Sequence, residues 1–350
     1  MLTRVCLAVI VLLTIPAVAA ACTCGGDPST CSERWKSGDV IFVGTVKSKV
    51  SLDKVDVESS FLIVRGFTYY IQVTESFRGP YLAGQEIAIE TGAGGGDCGY
   101  PFIPGNEYLV YAHGSKSLST SICMPTQPKV MAGAVIRQLR ALRDRRAMAT
   151  LFGSIGTRPT GAGSEDLIDA KTLANVPVRV IDSSKREYFT QTDSDGVYSF
   201  NSLPPDKYTM EVDLPAGLST WERNTGKSHK IEIKDDANCR ADLFARPDGR
   251  IAGIVLNEKG KALAGFVTIR PADPKEAEVA NRRGGLSGYT TQDGTFRLWQ
   301  LPPGRYRLLF YPKVGDRIMF GNLTYSDVIE IGFGQRVEDF RFVIAPRKMP

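Results

Sequence analysis

The sequence predicts an all-β protein, and three observations support this fold class. First, 35 glycines and 20 prolines are spread between short apolar runs, which favours many turns. Second, segments such as 69–73 and 86–90 alternate between apolar and polar residues, with the period of two that is typical of strands. Third, a pattern of strand and turn residues occurs twice in the C-terminal half, at a constant spacing.

The chain begins with a predicted signal peptide, residues 1–21. Arg4 supplies the positive end, 5–15 is apolar, and the small residues 17–21 precede the expected cut. The apolar run is shorter than the roughly twenty residues of a bilayer span, so we predict no membrane span. We expect an extracytoplasmic protein, secreted or at the cell surface, where disulfides persist.

A cut after Ala21 makes Cys22 the first residue of the mature chain, with a free α-amine beside its carbonyl oxygen. These two atoms could chelate a zinc ion of a partner protein, which is the only metal role that we predict. Two alternatives stay open. A cut after Ala19 leaves two alanines ahead of Cys22. A lipid anchor at Cys22 would occupy both the amine and the thiol.

Residues 22–149 are predicted to form the first domain. Four segments are predicted strands: 40–46, 69–73, 86–90 and 107–112. After them, Val135, Ile136, Leu139 and Leu142 recur at helical spacing. Strands closed by one amphipathic helix suit a small barrel. Arginines between the apolar helix positions are expected to form a solvated face, so we predict no nucleic-acid partner.

Residues 150–247 and 248–347 are predicted to form two similar domains. Gly196, Pro204 and Tyr208 of the first copy match Gly294, Pro302 and Tyr306 of the second; in both, an Asp-Gly turn precedes an alternating strand and a Leu-Pro-Pro break. Each copy is long enough for a seven-stranded sandwich. The start of the first motif, Asp193 to Gly196, is similar to a calcium loop but lacks its closing glutamate, so we expect a turn.

These two copies resemble carboxypeptidase regulatory-like domains, a family of transthyretin-like, Greek-key β-sandwiches. The resemblance rests on the T-x-x-D-G hairpin, the L-P-P-x-x-Y segment and the strand 249–255. It implies a fold rather than an activity. Because starch-binding-like modules share this sandwich, the resemblance also admits a polysaccharide partner.

The first domain resembles the inhibitory domain of the tissue inhibitors of metalloproteinases, a netrin-like OB-fold. The matching segments are 22–24, 38–46, 98–102, 105–111 and 119–123. The resemblance implies a five-stranded OB-type barrel and the disulfides Cys22–Cys98 and Cys24–Cys123. It also implies that the Cys22 amine and carbonyl bind the zinc of a metalloprotease and that Thr23 enters its specificity pocket. Cys24, Asp97 and Cys98 complete this inhibitory edge.

Cys31 and Cys239 have no partner in that pattern. Either they join two domains, or they remain free or form intermolecular bonds, and the sequence leaves both readings open. We predict no enzymatic activity, no cofactor and no catalytic residue. Metalloprotease inhibition through Cys22 is the main functional reading, and a structural, adhesive or carbohydrate-binding role at the cell surface is the alternative.

Overall fold

The computed structural model describes residues 24, 31–55, 62–157, 170–220, 228–273, 275, 286–289, 293–315, 317–319 and 324–344. Within these residues the protein is all-β, as predicted, with the α-helix α1 (Gly133–Arg143) after the first sheet. Short 3₁₀ helices lie at Glu33–Lys36, Gly95–Asp97 and Lys129–Met131. Residues 1–23, which comprise the predicted signal peptide (1–21), Cys22 and Thr23, lie outside the described part of the chain.

Six strands form the sheet of the N-terminal segment: β1 (Val40–Val55), β2 (Leu62–Arg78), β3 (Glu86–Thr91), β4 (Glu107–Ala112), β5 (Leu118–Ser119) and β6 (Gln127–Pro128). They include all four strands predicted from alternation. β1 and β2 are longer than predicted, because they continue to pair with each other as far as Val55 and Leu62. The added part of β1 is mostly polar, so apolar periodicity does not reveal it.

This sheet closes on itself. β1, β2 and β3 form an antiparallel meander, β3 runs parallel to β5, and β4 pairs with β1. The closing contact is a bridge between His113 and Ser119, whose backbone groups exchange hydrogen bonds of 3.0 and 2.9 Å. The resulting strand order, 1-2-3-5-4-1, is the OB order that the resemblance implied. The two-residue strand β6 lies outside the ring, on β4.

The next ten strands form two sheets: β7 (Leu151–Thr157), β8 (Lys171–Thr172), β9 (Pro177–Ile181), β10 (Glu187–Gln191), β11 (Val197–Phe200), β12 (Asp206–Val212), β13 (Leu218–Thr220), β14 (Ser228–Ile233), β15 (Cys239–Arg240) and β16 (Leu243–Pro247). One sheet has the order β10-β9-β12-β14, and the other contains β11, β7, β16 and β13. One continuous core, which includes Tyr198, Tyr208 and Met210, lies between them. We refer to these strands as sandwich 1.

The last eight strands are β17 (Gly249–Asn257), β18 (Gly265–Pro271), β19 (Leu286–Tyr289), β20 (Thr295–Leu301), β21 (Gly304–Val314), β22 (Arg317–Ile318), β23 (Thr324–Ile331) and β24 (Arg336–Ile344). Their pairings β19-β18-β21-β23 and β20-β17-β24 repeat the pairings β10-β9-β12-β14 and β11-β7-β16 of sandwich 1. We refer to them as sandwich 2. The sequence repeat is therefore a repeat of strand topology, with a separate core in each copy.

The recurring Leu-Pro-Pro-x-x-Tyr segment has a structural reason that the sequence did not reveal. The hydroxyl of Tyr208 donates a hydrogen bond of 2.7 Å to the carbonyl of Pro204, and the hydroxyl of Tyr306 donates one of 2.8 Å to Pro302. Each tyrosine ring is buried in its sandwich, so this bond satisfies the one polar atom that burial removes from water.

Candidate functional site: the disulfide edge of the barrel

The candidate site is the edge of the barrel at which the N-terminal disulfides lie. Cys24 and Cys123 form a disulfide with a Cα–Cα distance of 5.1 Å, the pair that the resemblance implied. Cys98 is disulfide-bonded as well. The backbone N–H of Ile122 donates to the Cys98 carbonyl at 2.9 Å, so the segments that carry Cys98 and Cys123 are adjacent.

The loop before Cys98 is held by the carboxylate of Asp97. Its oxygens accept hydrogen bonds from the backbone N–H groups of Ala93 (2.6 Å), Gly94 (2.8 Å) and Gly99 (3.1 Å). The bond from Ala93 is the main cause that lowers the pKa of Asp97 below its ordinary value. The place of Asp97 in a contact edge stays a prediction, and the structure adds that its carboxylate holds its own loop.

Close backbone approach fixes the residue type beside Cys98. A Cβ atom at Gly99 would lie 2.2 Å from the carbonyl oxygen of Gly92, so only glycine fits. Tyr100 and Phe102 then enter the barrel core, where their rings lie 4.6 Å apart and Phe102 packs on Tyr108 at 5.0 Å. These aromatic anchors connect the loop to the rigid interior of the barrel.

Replacing Asp97 with asparagine should loosen this loop, because a neutral amide is a weaker acceptor than a carboxylate for backbone N–H groups. We expect the amide hydrogens of Ala93, Gly94 and Gly99 to exchange about tenfold faster, since one charge-assisted bond contributes roughly 1–2 kcal/mol more than a neutral one.

The pH dependence gives a second readout of the same contact. Because the pKa of Asp97 is lowered in the folded protein, its contribution is complete above the ordinary carboxyl range and disappears as the pH falls through the lowered pKa. The Asp97→Asn variant should not show this loss. Equal exchange rates in the two proteins at neutral pH would contradict the assignment.

A second group of residues at this edge was not predicted. Trp35, in the first 3₁₀ helix, is 2% exposed. Its indole N–H donates to the carbonyl of Asn238 in sandwich 1 at 3.3 Å. Its neighbour Arg34 donates to the carbonyl of Cys123. The 3₁₀ helix therefore connects the disulfide edge of the barrel to sandwich 1.

The barrel and sandwich 1 share a hydrophobic cluster. Trp35 meets Phe152 of β7 edge to face, with ring centroids 5.2 Å apart, and both pack with Val135 of α1 and Val197 of β11. Cys31 and Cys239 form a disulfide across the same junction, which resolves the choice that the sequence left open. Leu142, counted from sequence in the apolar stripe of α1, is instead exposed near the end of the helix.

The arginines of α1 are paired with carboxylates. Arg137 contacts Asp193 and, at 2.8 Å, Asp195, while Arg140 and Arg143 both contact Glu75. The Asp193–Gly196 loop is a turn, as predicted, because Asp193 accepts from the backbone N–H of Asp195 at 2.9 Å. Its two carboxylates bind a guanidinium of α1, which adds an electrostatic contact to the junction.

No group of three or more His, Cys, Asp or Glu side chains in the described part of the chain could hold a metal ion. No helix in the same residues is long and apolar enough to cross a membrane.

These features define the class of protein. It is an extracytoplasmic, disulfide-bonded, all-β protein in which an OB-type barrel precedes two β-sandwiches of one topology.

No protein-family model matches the chain. It is similar to serine-aspartate repeat-containing protein E of Staphylococcus aureus (strain Mu50 / ATCC 700699), with 27% identity over 150 residues, 39% of this chain and 13% of that protein. Serine-aspartate repeat-containing protein C of strain Newman is 26% identical over 179 residues, 47% of this chain and 19% of that protein. The similarity thus spans less than a fifth of either relative.

Solved structures give only distant matches. The Bacillus anthracis TIE protein is 13% identical, with 88% of this chain and 47% of that one covered and a TM-score of 0.24. GBS52, the minor pilin of Streptococcus agalactiae, is 12% identical, with 57% and 97% covered and a TM-score of 0.21. At such TM-scores the fold assignment rests on strand order and pairing alone.

Proposed function

We propose that this chain is a non-enzymatic structural or adhesive protein of the cell surface. The observation that carries the proposal is the fixed junction between the barrel and sandwich 1. Neighbouring domains move relative to each other unless their interface is large and hydrophobic. Here a buried cluster around Trp35 and Phe152 is reinforced by the Cys31–Cys239 disulfide. Such a unit keeps its exposed surfaces in one orientation under mechanical load, which suits attachment or scaffolding.

The two sandwiches also contact each other. Arg246 of β16 donates to the Gln300 side chain of β20 at 3.2 Å, and Phe333 lies against Gly217. No disulfide joins the two sandwiches within the described residues. In this proposal the barrel and sandwich 1 act as one body, and sandwich 2 is a separate module.

Surface exposure and attachment test this proposal. On intact cells that produce the chain, a membrane-impermeant biotin reagent should label it. Beads coated with the mature protein should be retained under flow on cells or on extracellular polymers, and beads coated with the Cys31→Ser/Cys239→Ser variant should detach at lower force. Retention no greater than that of albumin-coated beads on every surface would contradict an adhesive role.

Metalloprotease inhibition through Cys22 is the second candidate. The observation in its favour is that the Cys24–Cys123 disulfide and the Cys98 loop meet at one edge of the barrel, joined through Ile122. In this proposal the Cys22 amine and carbonyl bind the zinc of the protease, and Thr23 enters the adjacent pocket. An amine and a carbonyl oxygen are suitable zinc ligands once the amine is neutral.

This second proposal requires an unblocked first residue. The mature protein starting at Cys22 should inhibit at least one member of a panel of zinc endopeptidases. Acetylation of its amine, or one alanine placed before Cys22, should abolish inhibition, while acetylation of lysines alone should not. Equal inhibition by the blocked and free proteins would exclude the mechanism, and mass spectrometry of the mature N-terminus would show whether Cys22 is free, extended or lipidated.

A further inference from the structure

Sandwich 2 contains an open cleft of about 610 Å³ that belongs neither to the disulfide edge nor to the junctions. It lies beside the end of β18 and the start of β21. Its walls include Arg305 and Arg307 of β21, Asp273 beyond β18, Pro303 before β21 and Val328 of β23. This volume is within the range of about 300–1,000 Å³ that is usual for small-molecule sites.

The two copies of the sandwich differ at this place. In sandwich 1, Asp206 occupies the position of Gly304, and its carboxylate accepts a hydrogen bond of 2.9 Å from the hydroxyl of Ser183, just beyond β9. This contact ties the start of β12 to the end of β9. β21 and β18 are the equivalent strands of sandwich 2. Gly304 has no side chain to make the same contact, so the space between these strand ends stays open.

The charges of the cleft also differ between the copies. Arg305 and Arg307 occupy the positions of Lys207 and Thr209 in sandwich 1. Both arginines are exposed, and because they are two residues apart on one strand, their side chains leave the same face of the sheet about 7 Å apart. The guanidinium of Arg307 is steadied by a hydrogen bond of 3.1 Å to the carbonyl of Ser326.

The arginines of the cleft also differ from those of α1. Arg137, Arg140 and Arg143 are all paired with carboxylates. Among the ion pairs of the described residues, none involves Arg305 or Arg307. Their forked donors remain suited to a carboxylate or sulfate group, which arginine binds through two parallel hydrogen bonds.

We infer that this cleft binds an acidic saccharide. The arginines would bind its carboxylate or sulfate, and Pro303 and Val328 would contact the apolar face of the ring. The Asp273 carboxylate, whose Oδ1 already accepts from the backbone N–H of Lys275 at 2.7 Å, would accept further hydrogen bonds from sugar hydroxyls. The cleft is much larger than an inorganic anion, and one carboxylate among two guanidinium groups selects a ligand with both negative charge and hydroxyl donors. This inference holds whether or not the chain is adhesive.

An array of oligosaccharides tests the assignment with the full mature chain. It should carry galacturonate, glucuronate and sulfated oligomers beside methyl-esterified or unsulfated counterparts, with titration calorimetry for the best acidic probe. We expect at least one acidic oligomer to bind, its neutral counterpart to bind at least tenfold more weakly, and Arg305→Gln and Arg307→Gln each to weaken binding about tenfold or more. Gly304→Asp, which introduces the residue of sandwich 1, should also weaken it.

Arg297→Gln is the matched control, because Arg297 is exposed on β20 of the same sandwich but does not line the cleft. It should bind like the unmodified protein, and circular dichroism should show that all variants are folded. Three results would each overturn the inference: no acidic oligomer binds, the arginine variants bind as tightly as the unmodified protein, or inorganic sulfate alone binds as tightly as the oligomer. These outcomes are independent of the bead and protease experiments.

Discussion

Replacing Trp35 with alanine should lower the free energy of unfolding of the barrel and sandwich 1 by about 3–5 kcal/mol, the range for large aromatic residues removed from a core. Trp35 is 2% exposed, packs on Phe152 and donates to the carbonyl of Asn238. The variant leaves a cavity in the cluster shared by the two units and an unpaired carbonyl beside it. Urea denaturation followed by circular dichroism measures the effect.

Trp299→Ala is the control for this prediction. Trp299 is 48% exposed on β20 of sandwich 2, so its removal should change stability by no more than about 0.5 kcal/mol. If the Trp35 and Trp299 variants unfold at the same urea concentration, the cluster at the junction does not stabilise the protein as described. A Trp35 variant that loses the cooperativity between barrel and sandwich 1 would show that this residue couples the two units.

The Cys31→Ser/Cys239→Ser double variant should lose about 3–5 kcal/mol of stability. The two cysteines are 208 residues apart, and in the chain-entropy model a crosslink over so long a loop restricts the unfolded chain strongly. The larger consequence is geometric. Without this bond, the relative orientation of barrel and sandwich 1 depends on noncovalent contacts, which include the hydrophobic cluster, the Trp35–Asn238 hydrogen bond and the ion pairs of Arg137.

Cys24→Ser/Cys123→Ser provides the comparison, since that disulfide spans 99 residues within the N-terminal segment and does not cross the junction. It should destabilise the barrel and leave the distance between barrel and sandwich 1 unchanged, as measured by two spin labels. Only the Cys31/Cys239 variant should broaden that distance distribution. Identical distributions in both variants would mean that the Cys31–Cys239 bond does not fix the junction.

The ion pairs of the α1 arginines are expected to contribute far less to the free energy of unfolding than Trp35 or the Cys31–Cys239 disulfide. Exposed ion pairs typically contribute about 0–1 kcal/mol each, even though Arg140 and Arg143 lower the pKa of Glu75 through their hydrogen bonds and charges, with Arg140 the larger cause. Their main effect is on orientation, because they fix which face of α1 meets β2 and the Asp193 turn. The ion pairs therefore account for the arginines of α1 through contacts within the chain.

Local sequence rules predicted the fold class well. Apolar runs and alternation gave four of the six strands of the N-terminal sheet, but not the two-residue strands β5 and β6. Asp-Gly turns gave the hairpins, and constant spacing gave two sandwiches of one topology. The strand residues Tyr198, Phe200, Phe296 and Leu298 are buried as expected. The positive φ angles of Gly196 (69°) and Gly294 (77°) show the physical basis of the turn motif. The division at residues 149 and 247 into independent domains stays a prediction.

The candidate site was predicted in part. The Cys24–Cys123 disulfide was implied by resemblance, whereas the hydrogen bonds by which Asp97 holds its own loop were not predicted. The roles of Cys22 and Thr23 stay predictions, since both residues lie outside the described part of the chain. Asp97 accepts hydrogen bonds from backbone N–H groups of its own loop. The need of such groups for an acceptor cannot be predicted from the periodicity of residue types.

By itself, the sequence determined which faces of each strand and helix are apolar, where the chain turns, and that one sandwich is duplicated. These properties depend on residues a few positions apart, so they can be predicted from the periodicity of apolar residues and from the residue types in turns. Only the tertiary structure decided that Cys31 bonds to Cys239, that Trp35 packs on sandwich 1, and that Gly304 leaves a cleft open. The sequence shows that an apolar side chain has to be buried and that a cysteine can form a disulfide. Which residue each one contacts depends on segments far apart in the sequence, and only folding brings these segments together.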